Sequence, residues 1–137
     1  MNTESNPAAG RPARLAVGIV GAGRAGTALG AALARAGHQV VAASAVSDAS
    51  LRRARAAFPG AVITEPGQVL RRADLALLTV PDDALPGLVS GLAATGAPLA
   101  GRMLVHASGR YGRHVGTLEG RRLFLFRVNI NRAEGAA

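Results

Sequence analysis

At 137 residues, 49% of them hydrophobic but only 3% aromatic, the chain suits one domain whose core is built from Ala, Val, Leu and Ile. It has no Cys, which excludes disulfides, thiolate metal sites and a cysteine nucleophile. Its formal net charge of +8 comes with 16 basic residues, all Arg, a usage that goes with the abundant Ala and Gly of a GC-rich gene and does not by itself mark a nucleic-acid surface.

Residues 1–14 are polar, with two Pro and a Gly, and read as a disordered leader. They hold no apolar segment of signal-peptide type, and no run in the chain nears the ~18 apolar residues that a membrane span needs. A cytoplasmic protein is therefore expected. A first strand over 15–20 is almost continuously apolar, as a strand covered on both faces should be. It runs straight into Gly21, Ala22, Gly23, Arg24, Ala25 and Gly26, and a helical pattern follows over 24–36. Strand, glycine turn and helix in this order build a dinucleotide phosphate site. Gly21 allows the tight turn, Gly23 lets backbone approach a pyrophosphate, and Gly26 lets the helix pack closely on the strand. The helix start then offers unpaired N–H groups and partial positive charge to the phosphates. Ala25, Leu29, Ala32, Leu33 and Ala36 are expected on its inward face, with Gly37 as the C-terminal cap.

A second strand is expected over 39–44, then a helix over 49–58 capped by Ser47 or Asp48, with Leu51, Ala54 and Phe58 inward. Pro59-Gly60 ends it. A short third strand over 61–64 and a short helix over 66–72 precede a fourth strand over 75–80. Pro81 closes that strand, and Asp82 or Asp83 is placed to cap a helix reaching Leu92. A fifth strand follows over 103–106. Strands and helices alternating at this spacing predict an α/β fold, a doubly wound parallel sheet in three layers. Beyond Gly112 the pattern degrades, and 123–130 offers one further strand.

The end of the second strand bears on the cofactor. An NAD site usually carries an acid there, on the ribose 2′-OH. Here the residues are Ala42, Ala43, Ser44 and Ala45, and Asp48 reads as part of a helix cap. Without a carboxylate there is no repulsion against a 2′-phosphate, to which Ser44 can donate and Arg52 and Arg53 can supply charge. NADP is favoured over NAD.

Three stretches in order carry a resemblance: GIVGAGRAGTALGAALARAGHQVVAAS, ADLALLTVPDDAL at 73–85 and LVHASGRYG at 104–112. Together they resemble the N-terminal Rossmann-like domain of the 6-phosphogluconate dehydrogenase-like and pyrroline-5-carboxylate reductase-like superfamily. Poorly characterised actinobacterial Rossmann-like oxidoreductases are the nearest likeness. The resemblance covers roughly 14–112, and so implies a leader over 1–14, a domain over 15–112 and an unaligned basic tail over 113–137. It implies that Gly21, Ala22, Gly23, Arg24, Ala25 and Gly26 hold the pyrophosphate, Arg24 and Ala25 through backbone N–H groups. It places Ser44 at the adenosine ribose, and Thr79, Val80 and Pro81 along the nicotinamide-side ribose. His106 and Ser108 fall near the nicotinamide, with His106 the one candidate acid or base. Relatives continue into a helical domain that completes the substrate pocket and the dimer. This chain reads as truncated or frame-shifted after about residue 112, with the sheet incomplete at its C-terminal side and no homodimer expected.

Other chemistry finds little footing. Three scattered His without paired carboxylates or Cys do not make a metal site. Ser108 lacks the GxSxG context of an activated nucleophile. Residues 101–137 carry a net +5, but without aromatic interleaving or a nucleic-acid motif. The expected function is an NAD(P)-binding domain of an oxidoreductase-like protein. Its full-length relatives would transfer hydride to a small carbonyl or imine substrate, and the isolated chain would turn over little or nothing. The alternative is a non-catalytic module that senses dinucleotide.

Overall fold

The computed structural model describes residues 14–94, 102–107, 117–118, 121–122 and 124–125. The leader and most of the tail discussed above lie outside these residues, as does Ser108. The elements run β1 (Ala16–Val20), α1 (Arg24–Arg35), β2 (Gln39–Ser44), α2 (Asp48–Ala57), β3 (Val62–Ile63), α3 (Pro66–Arg72), β4 (Leu75–Leu78), a 3-10 turn (Asp82–Ala84), α4 (Leu85–Ala94) and β5 (Met103–His106). Three short strands follow: β6 (Thr117–Leu118), β7 (Arg121–Arg122) and β8 (Phe124–Leu125).

The main sheet has six strands in the order β3-β2-β1-β4-β5-β8, and its pairings are all parallel. The chain therefore starts in the middle, winds outward to β3, crosses back over β1 and winds the other way. The expected α/β, doubly wound fold is present. The sheet does not stop at β5: β8, within the stretch where sequence offers a further strand, pairs Val105 with Phe124 and His106 with Leu125. β6 and β7 form a separate antiparallel pair that sequence reading did not foresee.

Period-two alternation sends side chains to two cores. Val17, Ile19, Ala43 and Leu77 face α1 and α2, where Ala54 and Phe58 join them. Val20, Ala42, Ala76, Leu78 and Leu104 face α3 and α4, meeting Val69, Leu70, Leu85, Val89 and Leu92. Each fully buried Leu or Ile contributes roughly 2 kcal/mol through the water it sheds. With so few aromatic residues, the helices gain contact by coming close. A β-carbon on Gly18 would lie 2.6 Å from Val69 Cγ1 of α3, and one on Gly30 would lie 2.5 Å from Ile19 Cδ1.

This close approach corrects the expected inward face of α1. Ala25, Ala32 and Ala36 are exposed, and the buried residues are Gly26 and Gly30. Leu29 and Leu33 are half-buried and pack against the core as expected, and with Ala32, Leu75, Leu77 and Val105 they line an apolar crevice of about 170 Å³. The helix ends as expected, with Gly37 at φ +102°. The Gly37 N–H donates to the Ala34 carbonyl and the His38 N–H to that of Leu33 (both 3.0 Å), which is a Schellman cap. His38 is half-buried, and its Nδ1 accepts the Leu15 N–H at 3.0 Å, tying the end of α1 to the start of β1.

α3 has a cap from a distant residue. Arg102, just before β5, donates from Nε to the Leu70 carbonyl (2.6 Å) and from an Nη to the Arg71 carbonyl (2.8 Å). A guanidinium on the last carbonyls of a helix satisfies orphan acceptors and opposes the helix dipole. Arg102→Ala is expected to destabilise the fold by about 1–2 kcal/mol, read as a lower urea midpoint with unchanged slope. Arg102→Lys should recover less than half, since an ammonium on a flexible stem lacks the rigid planar array that presents Nε and Nη to the two carbonyls.

Candidate functional site

All parallel strands point their carboxyl ends the same way, and β1, β2, β4 and β5 end around one cleft of about 570 Å³. From the turn after β1 and the start of α1 come Gly21, Ala22, Gly23, Arg24 and Ala25. From beyond β2 come Ala45, Val46, Ser47 and Ser50. β4 and the segment after it supply Leu78, Thr79, Val80, Pro81 and Asp82, and β5 is followed by Ala107. This is the switch point of the sheet, where strands on either side of β1 are reached by crossovers in opposite directions.

The glycine turn is built from the inside. Gly21 sits at φ +89°, a conformation that L side chains rarely adopt, and a β-carbon there would lie 2.8 Å from Val80 Cγ1. The Gly23 N–H closes the turn onto the Gly21 carbonyl at 2.8 Å. Gly23 is the N-cap of α1 and carries no capping side chain, so the first turn of the helix presents its N–H groups to the cleft. Among the described residues, nothing beyond its own chain neighbours lies within 4 Å of where a β-carbon on Gly23 would be. Gly26 is buried one turn in, where a β-carbon would overlap Thr79 Oγ1 and sit 2.8 Å from the Gly21 carbonyl oxygen.

Other sites proposed from sequence fall differently. Ser44 is 7% exposed and does not line the cleft. Its Oγ accepts the Gly21 N–H at 3.1 Å, and its carbonyl accepts the N–H groups of Gly21 (3.2 Å) and Ala22 (2.9 Å). The β2 rim of the cleft is formed instead by Ala45, Val46, Ser47 and Ser50. Arg52 and Arg53 are not among the lining residues either, whereas Arg24 is. Ser47 is the expected cap of α2, its Oγ accepting the Ser50 N–H at 3.1 Å.

Thr79, Val80 and Pro81 do line the cleft, with the Thr79 hydroxyl donating to the Gly21 carbonyl at 2.9 Å. Asp82 and Asp83 do not cap a helix with their side chains. They lie inside the 3-10 turn that precedes α4, and Asp82 reaches the cleft.

His106 is fully buried, on the same face of β5 as Leu104, and Ala107 takes its place on the cleft wall. The residue expected from sequence as an acid or base beside a nicotinamide therefore has no exposed surface here and does not line the cleft. Among the described residues, Asp82 is the one carboxylate on the cleft wall. No cluster of His, Cys, Asp or Glu suited to a metal is found among them, and no helix among them is long and apolar enough to cross a membrane.

Known proteins share this architecture. An NADP oxidoreductase of Bacteroides fragilis, so described, superposes with a TM-score of 0.63 at 24% identity, over 74% of this chain and 39% of its own. An imine reductase variant from Myxococcus stipitatus, solved with NAD+, gives 0.56 at 22% identity over 69% and 32%. A diketoreductase gives 0.59 at 19% identity over 80% and 46%. This chain thus spans less than half the length of each, and identities this low speak for the fold alone. No curated protein matches the sequence. The family model for the Rossmann-like domain, however, matches residues 1–119. With the switch-point cleft and the glycine turn in place, the chain belongs to the Rossmann-like domain family.

Proposed function

We propose that this domain binds a nicotinamide dinucleotide, with NADP preferred to NAD, as the cofactor-binding part of an oxidoreductase-like protein. The observation that carries the reading is the uncapped start of α1 opening on the cleft beside Gly23, where a side chain is absent and the surrounding space is clear. Those N–H groups suit a pyrophosphate. The preference for NADP is supported by the β2 rim, where Ala45, Val46, Ser47 and Ser50 supply no carboxylate, and by Arg24, which lines the same cleft from the start of α1. The bound dinucleotide would supply hydride chemistry. The protein's own residues bind and orient it: the α1 start holds the phosphates, and Thr79, Val80 and Pro81 wall the far side.

A bound dinucleotide without turnover is the expected behaviour of this chain, because His106 is buried away from the cleft and the wall carries only Asp82 as a proton-transfer group among the described residues. The substrate class, a small carbonyl or imine, belongs to the reading of full-length relatives. Titration with NADPH and NADH, followed by the reduced nicotinamide's fluorescence, tests the proposal. Saturable binding with NADPH the tighter ligand is expected, and failure of both at millimolar concentration would remove it.

A further inference from the structure

The Gly21 peptide is gripped on both sides by hydroxyl-bearing residues from the two strands that flank β1. On the β2 side, the Gly21 N–H is shared between Ser44 Oγ (3.1 Å) and the Ser44 carbonyl (3.2 Å). On the β4 side, Thr79 Oγ1 donates to the Gly21 carbonyl (2.9 Å) and lies 3.3 Å from that of Val20. The Thr79 backbone is fixed as well, its N–H donating to the Val20 carbonyl at 2.9 Å. The hydroxyl occupies the space that Gly26 leaves by having no side chain. Gly21 is held at φ +89°, and its carbonyl in turn receives the Gly23 N–H that sets the start of α1.

We infer that Thr79, with Ser44 opposite it, is a positioning residue for dinucleotide binding, presetting the glycine turn so that the first N–H groups of α1 face the pyrophosphate before it arrives. The inference rests on the proposed dinucleotide reading. A turn rich in glycine has many conformations to lose, and a ligand that must order it binds more weakly for doing so. Hydroxyls fixed to two strands remove that ordering from the binding step. Neither hydroxyl needs to touch the ligand. The third glycine of the motif also acquires a second purpose: besides letting α1 approach β1, it makes room for the hydroxyl that holds the first glycine.

The experiment compares wild type, Thr79→Val, Thr79→Ser and Ser44→Ala by NADPH titration, each well below its own melting temperature. Val keeps the shape and removes the donor, and Ser keeps the donor. Thr79→Val should weaken NADPH binding about tenfold, while Thr79→Ser stays within about twofold of wild type. Ser44→Ala should cost about threefold, since the Ser44 carbonyl still holds the turn. A purely structural threonine would lower the melting temperature without this split in affinity. Equal affinity of the Val variant and wild type, or equal loss in the Val and Ser variants, overturns the positioning role and leaves the dinucleotide reading intact. No binding by wild type overturns both. If the Val variant does not fold, Ser44→Ala decides, and unchanged affinity there overturns the clamp.

Discussion

Gly26→Ala is expected to lose NADPH binding by at least about 30-fold and to destabilise the fold by about 2–3 kcal/mol. The reason is the contact that one methyl group would make. The new β-carbon would overlap Thr79 Oγ1, lie 2.8 Å from the Gly21 carbonyl oxygen and lie 3.0 Å from Ile19 Cγ2. A side-chain hydroxyl can rotate away, but the Gly21 carbonyl belongs to the turn, so relief requires α1 to lift from β1 or the turn to open. Either movement displaces the N–H groups that face the cleft. Near-complete packing leaves no slack to absorb the change, because interiors of this density transmit strain. A lowered melting temperature, by roughly 10 °C, should accompany the lost affinity.

Adding Thr79→Ala to Gly26→Ala gives a sharper measurement. Removing the hydroxyl relieves the worst overlap, so the double variant should be less destabilised than the two single effects predict, by about 0.5–1.5 kcal/mol. Binding should not return, because the clash with the Gly21 carbonyl remains and the clamp is gone. Strict additivity would show that Thr79 and Gly26 do not share the space ascribed to them.

The contrast between Gly26 and Thr79 shows which parts of the site a sequence can carry. The run from Gly21 to Gly26 is local: six consecutive residues contain the turn, the opening beside Gly23 and the close approach of the helix. Apolar runs at 75–78 and 103–106 likewise mark buried parallel strands without reference to anything distant. Thr79 and Ser44 are different, since their hydroxyls act on a residue 58 and 23 positions away. Nothing in the neighbours of Ser44 says that it turns under the glycine loop instead of out to a ribose. The inward face of α1 was hidden for a related reason. Periodicity is sought in apolar side chains, and here the most deeply buried positions of the helix are Gly26 and Gly30, which have none, with Leu29 and Leu33 packing at their margin. His106 ends a strand at the rim where such folds bind ligands. Its alternation with the buried Leu104 puts it in the core all the same. Arg102 caps α3 across 31 and 32 residues, a contact that follows from β5 lying beside β4 and not from any local pattern.

Val46→Asp is expected to invert the proposed preference for NADP. Val46 is fully exposed, two residues past β2, on the rim of the cleft that carries no acid. Because its side chain packs against nothing, the substitution should leave stability within about 0.5 kcal/mol of wild type, which separates it from changes that act through folding. A carboxylate some 5 Å from a 2′-phosphate repels it by about 1–3 kcal/mol per unit charge at the effective dielectric of a protein surface. NADPH binding should therefore weaken by about ten- to hundredfold, while NADH, which offers a hydroxyl at that position, should stay within about threefold or gain. The loss for NADPH should shrink as salt is raised toward about 0.5 M, because exposed charges are screened over a few ångströms there. Val46→Arg should act in the opposite direction and strengthen NADPH alone, since a guanidinium pairs with phosphate and has no counterpart on the ribose hydroxyl. Equal losses for both dinucleotides in the Asp variant would place the adenosine ribose away from the β2 rim. A wild type that already binds NADH more tightly would show that a rim without an acid is not enough to select the phosphate.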